Sequence, residues 1–276
     1  MRFAVNQSAV WRAAAVVVAV VAACSAAQAA DPKRKEAPSD ARAPDPYLAL
    51  VVCRTETQRN AKLYALRAHG IQLMRASDRA QGRSSQGLED QLELLRQSTV
   101  GRPAVQKTVD RAHEVVTTLT EITVQEPLFE QVASAERLAD QAGEACGQLM
   151  SELRAAPPLA QAELMNALTD MLFVSQRMAR RYLAAPLTSP LTAAQRAPVL
   201  ADAQAFEKQL ALLRERAAAD GSLANAVRQI EGQWIFQRAA LDKPRANKSA
   251  LEYAGRVSES LYEILWSEWR RRTAER

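Results

Sequence analysis

Thr57–Ala65 reads TQRNAKLYA and Ser175–Ala184 reads SQRMARRYLA, so Arg59 and Arg177 hold the same place in two copies 118 residues apart. A guanidinium is a planar fork of N–H donors that holds an oxyanion through paired hydrogen bonds. Arginines on two apposed helices would converge on a small anion. Arginines on two outer faces would be solvated. At 100° per residue, the stripe of Ser175, Met178 and Tyr182 faces one way and Arg177 nearly the other, flanked by Arg180 and Arg181. Arg59 points outward likewise, with Lys62 near it, while Arg54 lies closer to the edge of the buried seam. Periodicity leaves both readings open, the solvated face being the plainer one.

The cysteines offer a second chemistry. Beyond Cys24 the chain holds only Cys53 and Cys146, both on apolar stripes. If the first four helices run up and down in turn, the first and fourth are neighbours and these two positions come level. An oxidising compartment would then close a Cys53–Cys146 disulfide, worth about 4–5 kcal/mol in chain entropy. Two buried free thiols are the alternative. Catalysis is not expected: His69 and His113 are the only histidines and have no metal-ligand spacing, and there is no phosphate loop or nucleophile elbow. No cofactor is expected either, since a bundle haem or di-iron site would need inward Glu-x-x-His pairs.

The elements that must position these residues are helices. Leu50, Cys53, Thr57, Asn60 and Tyr64 fall three or four apart, with Ile71 and Met74 continuing the series until Gly82–Gly87 breaks it. Leu88, Leu92 and Leu95 form a second stripe, and Val105, Val109, Ala112, Val116 and Leu119 a third. Val132, Ala135, Ala139, Ala142, Cys146, Leu149 and Leu153 form a fourth. After AAPPLA the plan repeats, with stripes beginning at Leu164, Val199, Leu223 and Ala250. Such spacing marks one buried face per helix. The expected fold is all-α, as two tandem antiparallel four-helix bundles over residues 47–156 and 157–276.

Residues 1–29 read as a secretory signal: Arg2 and Arg12 without an acid, the apolar AAAVVVAVVAA, and small residues at Ala27 and Ala29. Cleavage after Ala29 would release a periplasmic protein. VAAC, ending at Cys24, also has the form of a lipobox, which would place a lipid on Cys24 and tether the protein to the envelope. Residues 30–46, rich in proline and charge, read as a flexible leader. Losing the signal takes two arginines and lowers the formal charge from +5 to +3. Compartment and interleaved charge both argue against nucleic acid. Membrane contact is expected only through lipidation.

SQRMARRYL resembles the signature RMLSQRMAKxYL of the PilJ-type sensor domain of type IV pilus chemotaxis transducers, a domain similar to the extracytoplasmic part of nitrate/nitrite sensor kinases. VASAERLADQAGEACGQL resembles that family's closing helix, and ALEYAGRVSESLYEILW is a looser second version. The resemblance implies a helical periplasmic sensor module, in whose nitrate-sensing relatives a first-helix arginine binds the anion across a dimer interface. That arginine stands five residues before the SQR arginine, where this chain has Arg54 in the first copy and Leu172 in the second; the next position, a methionine in the family, is Thr55 or Phe173. The expectation is therefore a sensory or ligand-binding accessory module without its own membrane span or output domain. Its candidate anion ligands are Arg54, Arg59 and Arg177. The alternative is an envelope scaffold or adaptor that docks on a membrane-bound sensor or envelope protein through arginine-rich helix faces and the Trp266/Trp269 end.

Overall fold

The first helix begins where Asp45 accepts a hydrogen bond from the Tyr47 N–H at 3.0 Å and Pro46 takes the first helical position. Pro suits that position because its missing N–H has no helical partner to lose. In the computed structural model the described residues are 45–276, apart from 74, 156, 158–160, 188–189, 219, 243–246 and 275–276, and apart from the side chains of 75–86. The expected signal, the expected leader up to residue 44 and Cys24 lie outside them. Eight helices follow in order among the described residues: α1 (Pro46–Ala68), α2 (Arg75–Ser98), α3 (Pro103–Val124), α4 (Phe129–Glu152), α5 (Ala162–Ala184), α6 (Ala193–Ala217), α7 (Gly221–Asp242) and α8 (Lys248–Ala274). No strand occurs among the described residues, so the fold is all-α.

The first two helices end and start elsewhere than the stripes suggest. α1 stops at Ala68 because Gly70 adopts φ +70°, where glycine meets no Cβ penalty. Its N–H donates to the Arg67 carbonyl at 2.8 Å, and that of Ile71 to Leu66 at 3.0 Å, the paired bonds that close a Schellman cap. α2 then runs unbroken through Gly82–Gly87. Glycine inside a helix costs only about 1 kcal/mol, so it weakens a helix without forcing a turn. The chain turns at Gly70, and the expected break at Gly82–Gly87 is absent.

Packing follows the stripes. Val109, Ala112, Val116 and Leu119 of α3 and Val132, Ala135, Ala139, Ala142, Cys146 and Leu149 of α4 are all buried. α1, α2, α3 and α4 pack each on the next, and α4 returns to α1; α5 to α8 close a second circuit in the same way. The circuits meet where α1 lies along α5, with α4 against α5 and α8 against α1. One apolar cluster crosses that junction, taking Tyr47, Tyr64 and Ala139 from the first circuit and Met171, Leu261 and Trp269 from the second. Residues Ala43–Arg276 accordingly form one compact unit. Among the described residues, no helix is long and apolar enough to cross a membrane.

A smaller cluster fills the first circuit alone, from Leu50 and Cys53 of α1 through Leu88, Leu92 and Val109 to Cys146 and Leu149 of α4. At its centre Cys53 and Cys146 form a disulfide with Cα atoms 6.3 Å apart. It spans 93 residues and ties α1 to α4. Replacing both cysteines by alanine should lower unfolding stability by about 4 kcal/mol, read as a lower urea midpoint. Reducing agent should produce most of the same shift in the wild type.

Candidate functional site

α1 is buried without interruption from Thr55 to Leu66, so its polar residues have no solvated side to face. Arg59 and Lys62 point into the junction, not outward as the stripe suggests. The apolar stripe identifies the face turned to α1's own circuit, but α5 and α8 cover the opposite face. Arg59 Nε and Nη2 donate to the Glu259 carboxylate of α8, at 3.2 Å to Oε1 and 2.7 Å to Oε2. The Arg59 guanidinium also lies 4.5 Å from the centre of the Tyr262 ring, whose hydroxyl donates to Glu56. Lys62, fully buried, donates from Nζ to Gln176 Oε1 at 2.6 Å, to Ser258 Oγ at 3.0 Å and to Glu259.

Two cations and two carboxylates, Arg59 and Lys62 with Glu56 and Glu259, therefore balance in one buried group. Burial by itself would push the Glu259 carboxyl up, but Lys62 and Arg59 outweigh it and hold it at about 2. Burial likewise acts to lower Arg59, and the Glu259 carboxylate raises it overall. The Tyr262 hydroxyl is pushed well up by burial and by Glu56, and it stays a donor.

The second copy behaves in kind. Arg180 stands 118 residues after Lys62, and Ser258 the same distance after Asp140. Lys62 crosses to Ser258, and Arg180 crosses to Asp140 with Nη2 to Oδ1 at 2.6 Å. Arg180 Nη1 also donates to Glu136, at 2.9 Å to its carbonyl and 3.2 Å to Oε1. The repeated helix thus uses its polar face twice to grip the last helix of the opposite circuit. Arg177 and Arg181 share the buried Asp202 of α6, at 2.5 and 2.9 Å.

Arg54 differs from all of these. Its guanidinium lies 4.4 Å from the centre of the Phe173 ring, and that of Arg177 lies 4.6 Å from the same centre. Two of the three sequence-selected arginines, from α1 and α5, are therefore brought to one ring, while Arg59 is held at the Glu259 cluster. Among the described residues, Arg54 Nη1 meets only the Met150 sulfur at 3.8 Å, and its buried Nε has no hydrogen-bond acceptor. Burial lowers the Arg54 pKa and Arg177 adds to that, while Asp170 pulls the other way. The Asp170 carboxyl is itself raised by burial, with Arg54 and Arg177 opposing. Two glycines of α4 leave room beside this group. A Cβ on Gly143 would stand 3.2 Å from Phe173 and Gln58, and one on Gly147 would lie 3.9 Å from Arg54 Nε.

The Trp266/Trp269 end is also turned inward. Trp269 is buried, donates from its indole to Thr169 Oγ1 at 3.0 Å and stacks on Trp266. Arg272 is held by Glu268 at 2.8 Å and Asp220 at 2.5 Å. Glu259, Asp202, Asp170 and Phe173 were not selected from sequence. Phe173 alone carried a signal, as the large apolar residue following Leu172. The chain matches no protein-family model, no curated protein and no solved structure.

Removing one member of a buried ion group leaves the others uncompensated, at about 3–5 kcal/mol. Glu259→Gln should therefore destabilise the fold by about that amount at pH 7, measured by chemical denaturation. A depressed carboxylate stabilises fully above its unfolded pKa of 4.5 and loses that contribution as pH falls toward about 2. The wild type should thus lose stability across that window, and the variant should lose less.

Proposed function

We propose that this chain is an exported, non-enzymatic sensory or ligand-binding accessory module, built as two tandem PilJ-like four-helix bundles, with a small-anion site centred on Arg54. The observation that carries this reading is the Arg54 guanidinium: half-buried, with no carboxylate at bonding distance among the described residues, and sharing the Phe173 ring with Arg177. Arg59 and Arg177 already hold Glu259 and Asp202. Two cations on one ring repel, and an oxyanion between them would remove that repulsion while giving Arg54 acceptors.

Phe173 orients both forks through cation–π attraction, each contact worth about 0.5–2 kcal/mol. Asp170 acts on both arginines and sets a carboxylate against a multiply charged ligand. A monovalent anion suits that balance best. Such a ligand would bridge α1 and α5, the two helices through which the bundles meet, so occupancy would bear on how the bundles are held together. In this reading the module works in the periplasm, free or lipid-anchored at Cys24, and passes its state to a membrane-bound sensor or envelope protein. The adaptor alternative has less support, because Arg59, Arg177, Arg180 and Arg181 are committed to carboxylates inside the chain.

Calorimetric titration in low-salt buffer with sodium nitrate, acetate and phosphate tests the site. Saturable binding of a monovalent anion is expected, weakened at least tenfold in Arg54→Gln with an unchanged circular dichroism spectrum. Equal behaviour of wild type and variant across the panel would remove Arg54 as the site.

A further inference from the structure

A second concavity, apart from the Arg54 group, lies where the circuits meet on the side of α4. It is a cleft of about 520 Å³ between the start of α4, the end of α5 and the start of α6. That volume falls in the usual range for small-molecule sites. Its floor is apolar and buried, formed by Val132, Ala184 and Ala185. Its rim carries Phe129, Pro186 and Pro198, all exposed, and the Phe129 ring is braced by the His69 ring at 5.2 Å. His69 is fixed in turn by its Nε2 at 2.9 Å from the Leu183 carbonyl.

One wall of the cleft is charged in both senses. Glu136 and Asp140 of α4 stand beside Arg181 of α5. Each carboxylate spends one oxygen on Arg180, whose guanidinium is buried behind the wall. Among the described residues, Glu136 Oε2 and Asp140 Oδ2 meet no donor. Arg181 spends Nη1 on Asp202, and its Nη2 stands 3.9 Å from Asp140 Oδ1, beyond hydrogen-bond reach. Spare acceptors and a spare donor thus sit side by side above an apolar floor.

A simple cation would meet the acceptors but be repelled by Arg181. A simple anion would meet Arg181 but be repelled by two carboxylates. A ligand carrying both charges on one carbon satisfies the whole wall, and its substituent would lie on the apolar floor. We propose that this cleft binds a free α-amino acid with an apolar side chain, its ammonium on Glu136 and Asp140 and its carboxylate on Arg181. The cleft draws on α4 from the first circuit and on α5 and α6 from the second, so the ligand would span the junction as an anion at Arg54 would, independently of it.

Calorimetry with L-leucine and L-phenylalanine tests the assignment, with isoamylamine and 4-methylpentanoate as the leucine skeleton bearing one charge. The expected result is saturable binding of at least one amino acid, with both single-charge compounds at least tenfold weaker. Ala133→Trp, at an exposed position lining the cleft, removes no ion pair and should abolish binding without changing the thermal melt. Arg54→Gln should leave it unchanged. The proposal is overturned if neither amino acid binds saturably, if isoamylamine or 4-methylpentanoate binds as well as leucine, or if Ala133→Trp binds normally. Loss of leucine binding in Arg54→Gln would equally assign the effect to the other site.

Discussion

Burial of charge along α1 is the constraint to which the rest of the structure answers. A helix enclosed on every side is ordinarily apolar, because an unpaired charge in an interior costs several kcal/mol. α1 instead brings Glu56, Arg59 and Lys62 into the junction. That is tolerable only where other elements deliver partners at bonding distance, and Glu259 does so for both cations at once. The gain over an apolar junction of the same shape is small, since desolvation offsets most of the attraction. What the paired charges add is selectivity of register. A slip of one turn between α1 and α8 would take Glu259 away from both cations, whereas leucine would tolerate it.

The same logic accounts for the duplicated motif. Lys62 and Arg180 hold equivalent positions, and each reaches the closing helix of the other circuit. The conserved-looking pattern within the chain therefore marks a reciprocal clasp. Because each circuit supplies both a cation and its partner helix, neither has its full set of partners alone. The continuous apolar cluster through both circuits fits that interdependence. α1 is consequently held from two directions, by the Cys53–Cys146 disulfide toward α4 and by the ion group toward α8. Arg54 lies next to the disulfide on this clamped helix, so its fork is presented to Phe173 by a backbone with little freedom to shift.

Much of the helical plan was legible. The stripes of α3 and α4 are buried from Val109 to Leu119 and from Val132 to Leu149, with Val105 and Leu153 at their ends half-buried, because spacing of three and four places side chains on one face whatever the neighbours are. The cysteine pairing followed from the same facing stripes once first and fourth helices were set side by side. The turn was misplaced because the two kinds of glycine look alike in sequence. Gly82 and Gly87 sit in an ordinary helix, and only the φ of +70° at Gly70 stops the chain. The site was half legible: Arg54 and Arg177 could be selected, but not that Phe173 would bring them together.

Sequence by itself determined the helices, their apolar faces and the two cysteines that meet, because these depend on local periodicity and on neighbouring elements. Tertiary structure alone decided what lies on the opposite faces. A polar face reads identically whether water or another polar helix covers it, so Arg59, Lys62 and Arg180 could not be recognised as buried from α1 and α5. Their partners Glu259, Glu136 and Asp140 stand on helices remote in sequence from the motifs they complete. Only the packing of one circuit on the other showed which arginines were committed, and that Arg54 shares a ring with a second cation and has Asp170 acting on it without a direct bond.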